Sequence, residues 1–544
     1  MNVKTLDAAP NDRFGVPLRD SLRERIAPRW PNAEAFYAAR DDRTVRVAGL
    51  EGLAAYAARP VEIHVDPQWA YDATVQRIAL VAANLTARWA RRLRVVLPGA
   101  AGETRLAPPL RRADLDTLGE RIEWEMAMAD PFGDTTPTAD ALRLYVGPWR
   151  GLAMRAGDYQ VYAEYWSALG RRGEDMARTN EPSAVGRNGI ARTDEGATAA
   201  AAGLAGALGA ADLFKQAIGH DPSCWMPTFA WDTWSSEMAT GEGAWDRLVK
   251  RPVPDRIEQI DMLIAGVGAI GSALLYLIDL VDVDARAKLM LFDRDRVDVT
   301  NLNRSPLFTA LDAYEEMLKT EAGMRWLNGR EGSDGLRTRA GGEALPRIEM
   351  RDGLWREHMS ELSLIPFDVW VSLTNEDGAW ADVPFELPPV VLQGTTTSGW
   401  GFGAGRHVPR VEDCTLCRMP RPESVFRGPC AEGEVVPVAA ETDIEPVRAS
   451  LPFLSTASAA LILAELIQLQ CEGCAVLSLP NDVAADLGTG LPTVVALRRG
   501  PTDGCGGCRA ARTRVWERLG GRGKFAGLSM GESGAHPREA RRTD

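Results

Sequence analysis

Histidine is scarce in this chain, five in 544 residues, and no two stand at metal-ligand spacing. A histidine-based metal centre and a Ser-His triad are therefore not expected. Positive charge is also short: 62 Lys and Arg against 75 Asp and Glu leave a net −13. That balance argues against nucleic acid or an anionic membrane surface as the main partner. No uninterrupted apolar run approaches the roughly 18–20 residues that a membrane-spanning helix needs. The N-terminus, Met1-Asn-Val-Lys-Thr, lacks the pattern of a signal peptide. No fixed-period repeat is present. These absences point to a cytoplasmic protein with no nucleic acid and no membrane among its partners.

What is present is unevenly divided. The composition, 45% hydrophobic and 25% charged, is globular, and 544 residues exceed one ordinary core, so two domains are expected. Six of the eight cysteines form CxxC pairs, Cys414/Cys417, Cys471/Cys474 and Cys505/Cys508. With no export signal, that pairing favours metal or thiol chemistry over disulfides. In the first half the spacing predicts a helix near Leu18–Ala27, strands at Val61–Asp66 and Arg92–Leu97, and a helix within Tyr71–Arg91. This is a β–α–β unit with parallel strands. A strand at Ala141–Val146, a polar turn at Gly186-Arg-Asn-Gly and an Ala-rich helix, Ala197–Ile218, follow. This half has no glycine fingerprint and no CxxC. His220–Gln259, rich in Trp and broken by Pro, reads as the connection between domains. In the second half strands are expected at Gln259–Ala265, Lys288–Phe292, Phe367–Leu373 and Pro389–Gln393, with helices at Ile270–Leu280 and Leu454–Leu469. Loops are expected at Gly329–Gly342 and from Cys417 to about Ser450, and residues 520–544 read as a disordered polar tail.

Gly266-Val-Gly268-Ala-Ile-Gly271 follows a strand and opens a helix. Glycines there permit a tight turn and let the backbone approach a phosphate over the helix N-terminus. Asp293 lies 22 residues past Gly271 at the end of the next strand, where a carboxylate can accept hydrogen bonds from a ribose. The glycine pattern alone would equally suit a plain tight turn; with Asp293 it points to a nucleotide. Cys414, Cys417, Cys505 and Cys508 have the spacing of a closed, tetrahedral, structural Zn2+ site, against the alternative of free buried thiols.

The segment Asp293-Arg-Asp295-Arg-Val-Asp-Val-Thr-Asn301-Leu-Asn303-Arg304 resembles the signature of the ThiF/MoeB/HesA family, the activating enzymes of ubiquitin-like proteins, roughly D-x-D-x-V-x-x-S-N-L-x-R. The resemblance covers about Gln259–Leu519. It implies that Asp293 and Asp295 belong to the ATP site and that Asn301 and Arg304 touch its phosphates, a role the planar guanidinium fork suits. The family's phosphate-contacting lysine maps to Lys319, at a slightly longer spacing. The family's Mg2+-holding aspartate falls at Asn375 in Thr374-Asn375-Glu376-Asp377. This is a departure, because a neutral amide binds Mg2+ more weakly than a carboxylate; Glu376 or Asp377 could stand in. The four cysteines match the family's structural zinc site. Cys430, in Arg427-Gly-Pro-Cys430, lies where members often carry a cysteine that forms a thioester or persulfide; the alternative is an inert loop cysteine. Cys471 and Cys474 could be a redox pair, a second thioester candidate or structural thiols, and Cys224 is structural.

The first half, with Asn188-Gly-Ile-Ala and a helix closing on Ala210-Ala-Asp-Leu-Phe214-Lys-Gln, looks like a degenerate copy of the same domain. In the family an inactive copy packs on the active one and lends it an arginine, for which Arg23 and Arg25 are candidates beside a solvated helix face. The expected architecture is therefore α/β, with two Rossmann-like ThiF-type domains. Residues 1–245 would be the inactive one, 246–519 the active one with zinc clamp and cysteine loop, and 520–544 the tail. The implied activity is ATP- and Mg2+-dependent adenylation of a ubiquitin-like protein ending in Gly-Gly, then a thioester on Cys430 for a conjugating enzyme. Alternatives are a sulfur-carrier or peptide adenylating enzyme, or a catalytically weak nucleotide-binding adaptor, motivated by Asn375. A nicotinamide dehydrogenase is a further rival, but has no use for Asn301, Arg304 or a thiol clamp.

Overall fold

The computed structural model describes residues 16–41, 56–112, 115–149, 154–173, 196–241, 244–247, 249–254, 256–328, 347–353, 355–362, 365, 367–374, 383, 390–397, 399–418, 451–490, 492–510, 524–525 and 528. Within them, two open sheets are built on one plan. The first comprises β1 (Val61–Val65), β2 (Leu93–Val96), β3 (Leu142–Val146), β4 (Tyr159–Glu164), β5 (Ser167–Arg172), β6 (Phe229–Asp232) and β7 (Met238–Thr240), in the order β2-β1-β3-β4-β5-β6-β7. Strands β2, β1, β3 and β4 run parallel, and β4 to β7 form an antiparallel meander. The parallel start follows from the crossover helix Ala73–Ala87, whose first turn is capped by Asp72 accepting from the Thr74 and Val75 amides at 2.8 and 3.2 Å.

After a short pair, β8 (Arg256–Ile257) with β10 (Asp282–Val283), the second sheet takes up the same plan. It contains β9 (Asp261–Ala265), β11 (Lys288–Phe292), β12 (Arg347–Arg351), β13 (Val369–Ser372), β14 (Val391–Thr396), β15 (Gly401–His407), β16 (Asp482–Asp486) and β17 (Thr493–Leu497), ordered β12-β11-β9-β13-β14-β15-β16-β17. Strands β12 to β14 of that order are parallel, and β14 to β17 antiparallel. Strand for strand, β1 corresponds to β9, β2 to β11, β3 to β13, and β4–β7 to β14–β17. In each half a long apolar helix, Ala199–Ala217 or Pro452–Glu472, is inserted at the same point of the meander. The N-terminal half is thus a second copy of the architecture.

Those two helices pack against each other and join the halves in one continuous core. Glycine also lets helix Ala199–Ala217 approach two other helices closely: a Cβ at Gly203 would stand 2.8 Å from Leu277 of helix Ala269–Asp279 in the second half, and at Gly206 2.8 Å from Val81 of helix Ala73–Ala87. A buried polar network also crosses the junction. Tyr276 OH donates to Glu125 at 2.7 Å, Arg121 donates to Glu125 at 2.8 Å and to Asp279 at 2.9 Å, and Arg112 reaches Asp279 at 2.9 Å. A smaller apolar cluster, including Phe292, Trp355, Trp370 and Val391, covers the opposite face of the second sheet.

Three expectations need correction. His220–Gln259 is not only a connection, because β6 and β7 lie within it and complete the first sheet; their Trp and Phe side chains are core residues, with Phe229 and Trp231 fully buried. The tail is not wholly without structure: Phe525 and Leu528 are buried, and the Lys524 amide donates to Asp368. Among the described residues one helix, Pro452–Cys471, is long and apolar enough to cross a membrane, and it is entirely buried in the core. Its Ser, Thr, Glu and Gln residues interrupt the apolar stretch, so no uninterrupted run marks it in the sequence. The polar turn near Gly186, the loops at 329–342 and 419–450, and the side chain of Cys474 lie outside the described residues.

Candidate nucleotide site and four-cysteine centre

The glycine turn sits at the carboxyl end of β9, between neighbours β11 and β13, where open α/β sheets take their ligands. Each glycine is there for a different reason. Gly266 has φ +92°, and a Cβ on it would lie 2.7 Å from the Leu373 carbonyl and 2.9 Å from the Thr374 nitrogen. At Gly271 a Cβ would lie 2.0 Å from the Gly266 oxygen. Gly268, the N-cap of helix Ala269–Asp279, makes no side-chain cap, and a Cβ there would meet nothing within 4 Å. The fold needs the first and third glycines; the second leaves open space over a helix N-terminus, which fits the approach of a phosphate.

Asp293 closes the turn from β11, accepting the Val267 amide on Oδ2 at 2.7 Å and the Asp295 amide on Oδ1 at 2.8 Å. Burial raises its pKa, while the Lys319 ammonium opposes that shift. Lys319, the first residue of helix Lys319–Asn328, donates from Nζ to Asp295 at 2.7 Å, and its amide donates to the Asp295 carbonyl at 3.0 Å. Gly266, Gly268, Gly271, Asp293, Asp295 and Lys319 are therefore one connected constellation.

Asn301 and Arg304 lie on the following turn. Asp298 caps the Thr300 amide at 2.8 Å, and Asn301 Oδ1 returns the bond by accepting the Asp298 amide at 2.9 Å. Arg304 is buried and donates from Nη1 to the Thr300 carbonyl and to Asn303 Oδ1, the latter at 3.3 Å. Asn375 and Cys430 lie outside the described residues. Thr374, the residue before Asn375, has a buried hydroxyl without a hydrogen-bond partner beside Gly266. In the first sheet the equivalent turn runs from the end of β1 at Val65 to Ala73, contains Trp69 and Tyr71, and has no glycine, so it offers no comparable cradle. Arg23 and Arg25 are engaged elsewhere, Arg23 on the Pro131 carbonyl at 2.8 Å and Arg25 on Glu315 at 2.8 Å. Sequence reasoning missed Arg88, which enters this region from the first half; its only signal was an arginine ending a largely apolar helix.

Cys414, Cys417, Cys505 and Cys508 converge, their sulfurs all within 4.8 Å of one another. Three of the separations are 3.8 Å (Cys414–Cys417) and 3.5 Å (Cys414–Cys505 and Cys417–Cys508). A tetrahedral Zn2+ with Zn–S of about 2.3 Å places its sulfurs about 3.8 Å apart, so the thiols fit that ion. The crowded thiols shift one another in opposite directions: Cys508, with burial, pushes the Cys414 thiol up, while Cys414 holds Cys508 below the ordinary thiol range. The first pair is presented by helix Thr415–Arg418, which is anchored by Arg418 donating to Asp413 at 2.6 and 3.0 Å and by Asn481 donating to Asp413 at 3.0 Å. Cys471 lies in the last turn of the interface helix, partly buried, and Cys224 lies in the short turn Pro222–Cys224.

Strand, glycine turn, helix and acidic strand end define a Rossmann-like nucleotide-binding domain that carries a four-thiol centre. Residues 245–329 match the model of the ThiF family, and this part of the chain is a ThiF-family domain. Among solved structures the chain is similar to E. coli MccB with succinimide, at 17% identity and TM-score 0.33, covering 46% of this chain and 66% of that one. It is similar also to the microcin C7 biosynthetic enzyme MccB in complex with N-formylated MccA, at 18% identity and TM-score 0.33, covering 46% and 67%. E. coli MccB with ATP gives 16% identity, TM-score 0.33, and 46% and 67% coverage. The chain thus spans about two thirds of the length of these structures. No curated protein matches it.

Proposed function

We propose that the chain is an ATP-dependent adenylating enzyme that activates the C-terminal carboxylate of a ubiquitin-like protein. The observation that carries this reading is the constellation at the end of β9: an open glycine over a helix N-terminus, with Asp293 and Lys319 beside it. ATP would lie with its phosphates over Gly266, Gly268 and Gly271 and its ribose against Asp293. Lys319, now paired with Asp295, would turn to a phosphate, and Arg304 and Asn301 would hold the remaining oxygens. An oxygen of the substrate carboxylate attacks the α-phosphorus, the bond from that phosphorus to the β-phosphate bridge breaks, and pyrophosphate leaves. Positioning and positive charge are what these residues contribute.

The thiolate of Cys430 would then attack the acyl carbon of the adenylate, releasing AMP and leaving a thioester for a conjugating enzyme. Zn2+ on Cys414, Cys417, Cys505 and Cys508 would clamp the end of β15 to the segment after β17 and take no part in the reaction. Asn375 is neutral where the family sets its metal-holding aspartate, so no protein ligand to Mg2+ is assigned; the ion would arrive on the ATP. The first half, residues 1–245, is read as the inactive copy packed on residues 246–519.

The test is ATP–pyrophosphate exchange with a panel of purified carboxyl termini: ubiquitin-like proteins ending in Gly-Gly, and short peptides. Exchange driven by the proteins, lost in Arg304→Ala and retained in Cys430→Ala while a dithiothreitol-sensitive adduct disappears, is expected. Exchange driven only by peptides moves the substrate class to a peptide. ATP binding without exchange under any substrate makes the chain a nucleotide-binding adaptor, with Asn375 the leading cause.

A further inference from the structure

Arg88 caps the helix Ala73–Ala87 of the first half and is 1% exposed, yet its guanidinium is committed to the second half. Nη1 donates to the carbonyls of Leu302 at 3.3 Å and Phe308 at 2.5 Å, and Nη2 donates to the Pro306 carbonyl at 2.5 Å. Nε donates to Asn84 Oδ1 at 3.1 Å, and Asn84 in turn donates to Glu125 at 3.0 Å, which holds Arg88 in the junction network. The three carbonyls belong to the turn that presents Asn301 and Arg304. Leu302 lies between those two residues, and the Arg304 and Ser305 amides both donate to the Asn301 carbonyl, at 3.1 and 2.9 Å.

A buried charge is a costly way to join two faces, and among the described residues Arg88 has no carboxylate hydrogen-bond partner to offset that cost. A guanidinium earns such a place through geometry. Its planar fork reaches several carbonyls at fixed angles, which a lysine cannot do. We propose that Arg88 is a positioning residue for the nucleotide site: from the first half it fixes the backbone of residues 301–308, so that Asn301 and Arg304 meet the phosphates in one geometry. The idea rests on the reading of that turn given under the proposed function, and it gives the first half, which lacks a glycine turn, a part in the second half's chemistry.

Arg77 supplies a matched control. It lies on the same helix, is equally buried, and also bridges the halves, donating to Leu280 at 3.0 Å and to Ala197 at 3.4 Å, away from the turn. The experiment measures MgATP affinity by calorimetry, and stability by denaturant unfolding, for full-length wild type, Arg88→Lys, Arg88→Met, Arg77→Lys, Arg304→Ala and the Arg88→Lys/Arg304→Ala double variant. The expected result is roughly tenfold weaker MgATP binding in Arg88→Lys, from the misplaced turn, with Arg77→Lys near wild type. Added to Arg304→Ala, Arg88→Lys should weaken binding by clearly less than it does alone, because part of its effect runs through Arg304 and only the part that runs through Asn301 remains. Arg88→Met, if it folds, should be the weakest binder of the single Arg88 variants; should it not fold, Arg88→Lys and the double variant decide. Wild-type affinity in folded Arg88→Lys, equal weakening in Arg77→Lys, or additivity with Arg304→Ala would each overturn the proposal. If wild type binds no MgATP, the proposed function falls and this inference with it.

Discussion

Gly268→Ala separates what the fold needs from what a ligand needs. The backbone there has φ −76°, on the side used by all L-residues, and the new methyl would meet no atom within 4 Å. As an N-cap, alanine is worse than glycine by about 1 kcal/mol at most, so denaturant unfolding should move little. Gly271→Ala is the contrast, because its methyl would stand 2.0 Å from the Gly266 oxygen, more than 1 Å inside ordinary contact. Overpacking of that kind costs about 1–3 kcal/mol or more, and the unfolding midpoint should fall clearly. Nucleotide affinity should behave differently. In Gly268→Ala the methyl occupies the space over the helix N-terminus and keeps a phosphate from the amides. Losing one such charge-assisted hydrogen bond, worth about 1.5–3 kcal/mol, weakens ATP binding roughly tenfold to a hundredfold. Calorimetric titration with MgATP beside urea melts of the same preparations gives both quantities. A stable Gly268→Ala protein that binds ATP as wild type does would show that phosphates do not pass over this turn.

Further outcomes are open to direct measurement. Cys505→Ser should lower bound zinc from about one ion per chain, measured by mass spectrometry of the metal after gel filtration, and should destabilise the β15–β17 end of the sheet; unchanged zinc would refute the four-thiol assignment. Glu125→Ala leaves Tyr276 and Asn84 without their acceptor and Arg121 with Asp279 as its remaining carboxylate, and should cost about 2–6 kcal/mol, about 1–3 for each orphaned group, in a single cooperative transition; two separate transitions would show that the halves do not share one core. His407 is held neutral, first by burial and then by Arg418, its pKa lowered from 6.5 to about 4 while its Nδ1 stands 2.7 Å from the Asp413 carbonyl. A depressed folded-state value means that this stability is present above pH 6.5 and is lost as pH falls toward 4, by an amount of order 3 kcal/mol. Unfolding free energy in His407→Asn should therefore fall less steeply over that interval, and parallel curves would exclude the effect.

Much of the second half was legible because its signals are local. β9, the glycine turn, β11 and Asp293 fall within a short stretch, and alternation, turn chemistry and strand end can each be read in place. The thiol centre was legible for another reason: its chemistry names its geometry, even across 91 positions between Cys414 and Cys505. β15, Gly-Phe-Gly-Ala-Gly-Arg-His, was invisible, since glycine disfavours a strand. Its glycines are demanded by tertiary neighbours, with a Cβ at Gly403 placed 2.6 Å from the Val483 carbonyl. β6 hid among prolines and tryptophans that looked like linker. Arg88 could not be found at all from sequence, because its partners are main-chain carbonyls more than 200 positions away, and carbonyls carry no residue identity.

The contacts that join the halves also set an order of events during synthesis. Lys215, buried on the Ala-rich helix, donates to the carbonyl of Leu487, 272 positions later, and the Thr233 and Trp234 carbonyls accept from Gln468. At about 5–20 residues per second on the ribosome, the first half waits on the order of 15–50 s for the surface that covers it. Through that interval helix Ala199–Ala217 stands as an apolar ridge without its partner. A nascent chain paused in the second half should be a client of whatever chaperones bind apolar helices, and expression of the first half alone should yield aggregate, not a folded domain.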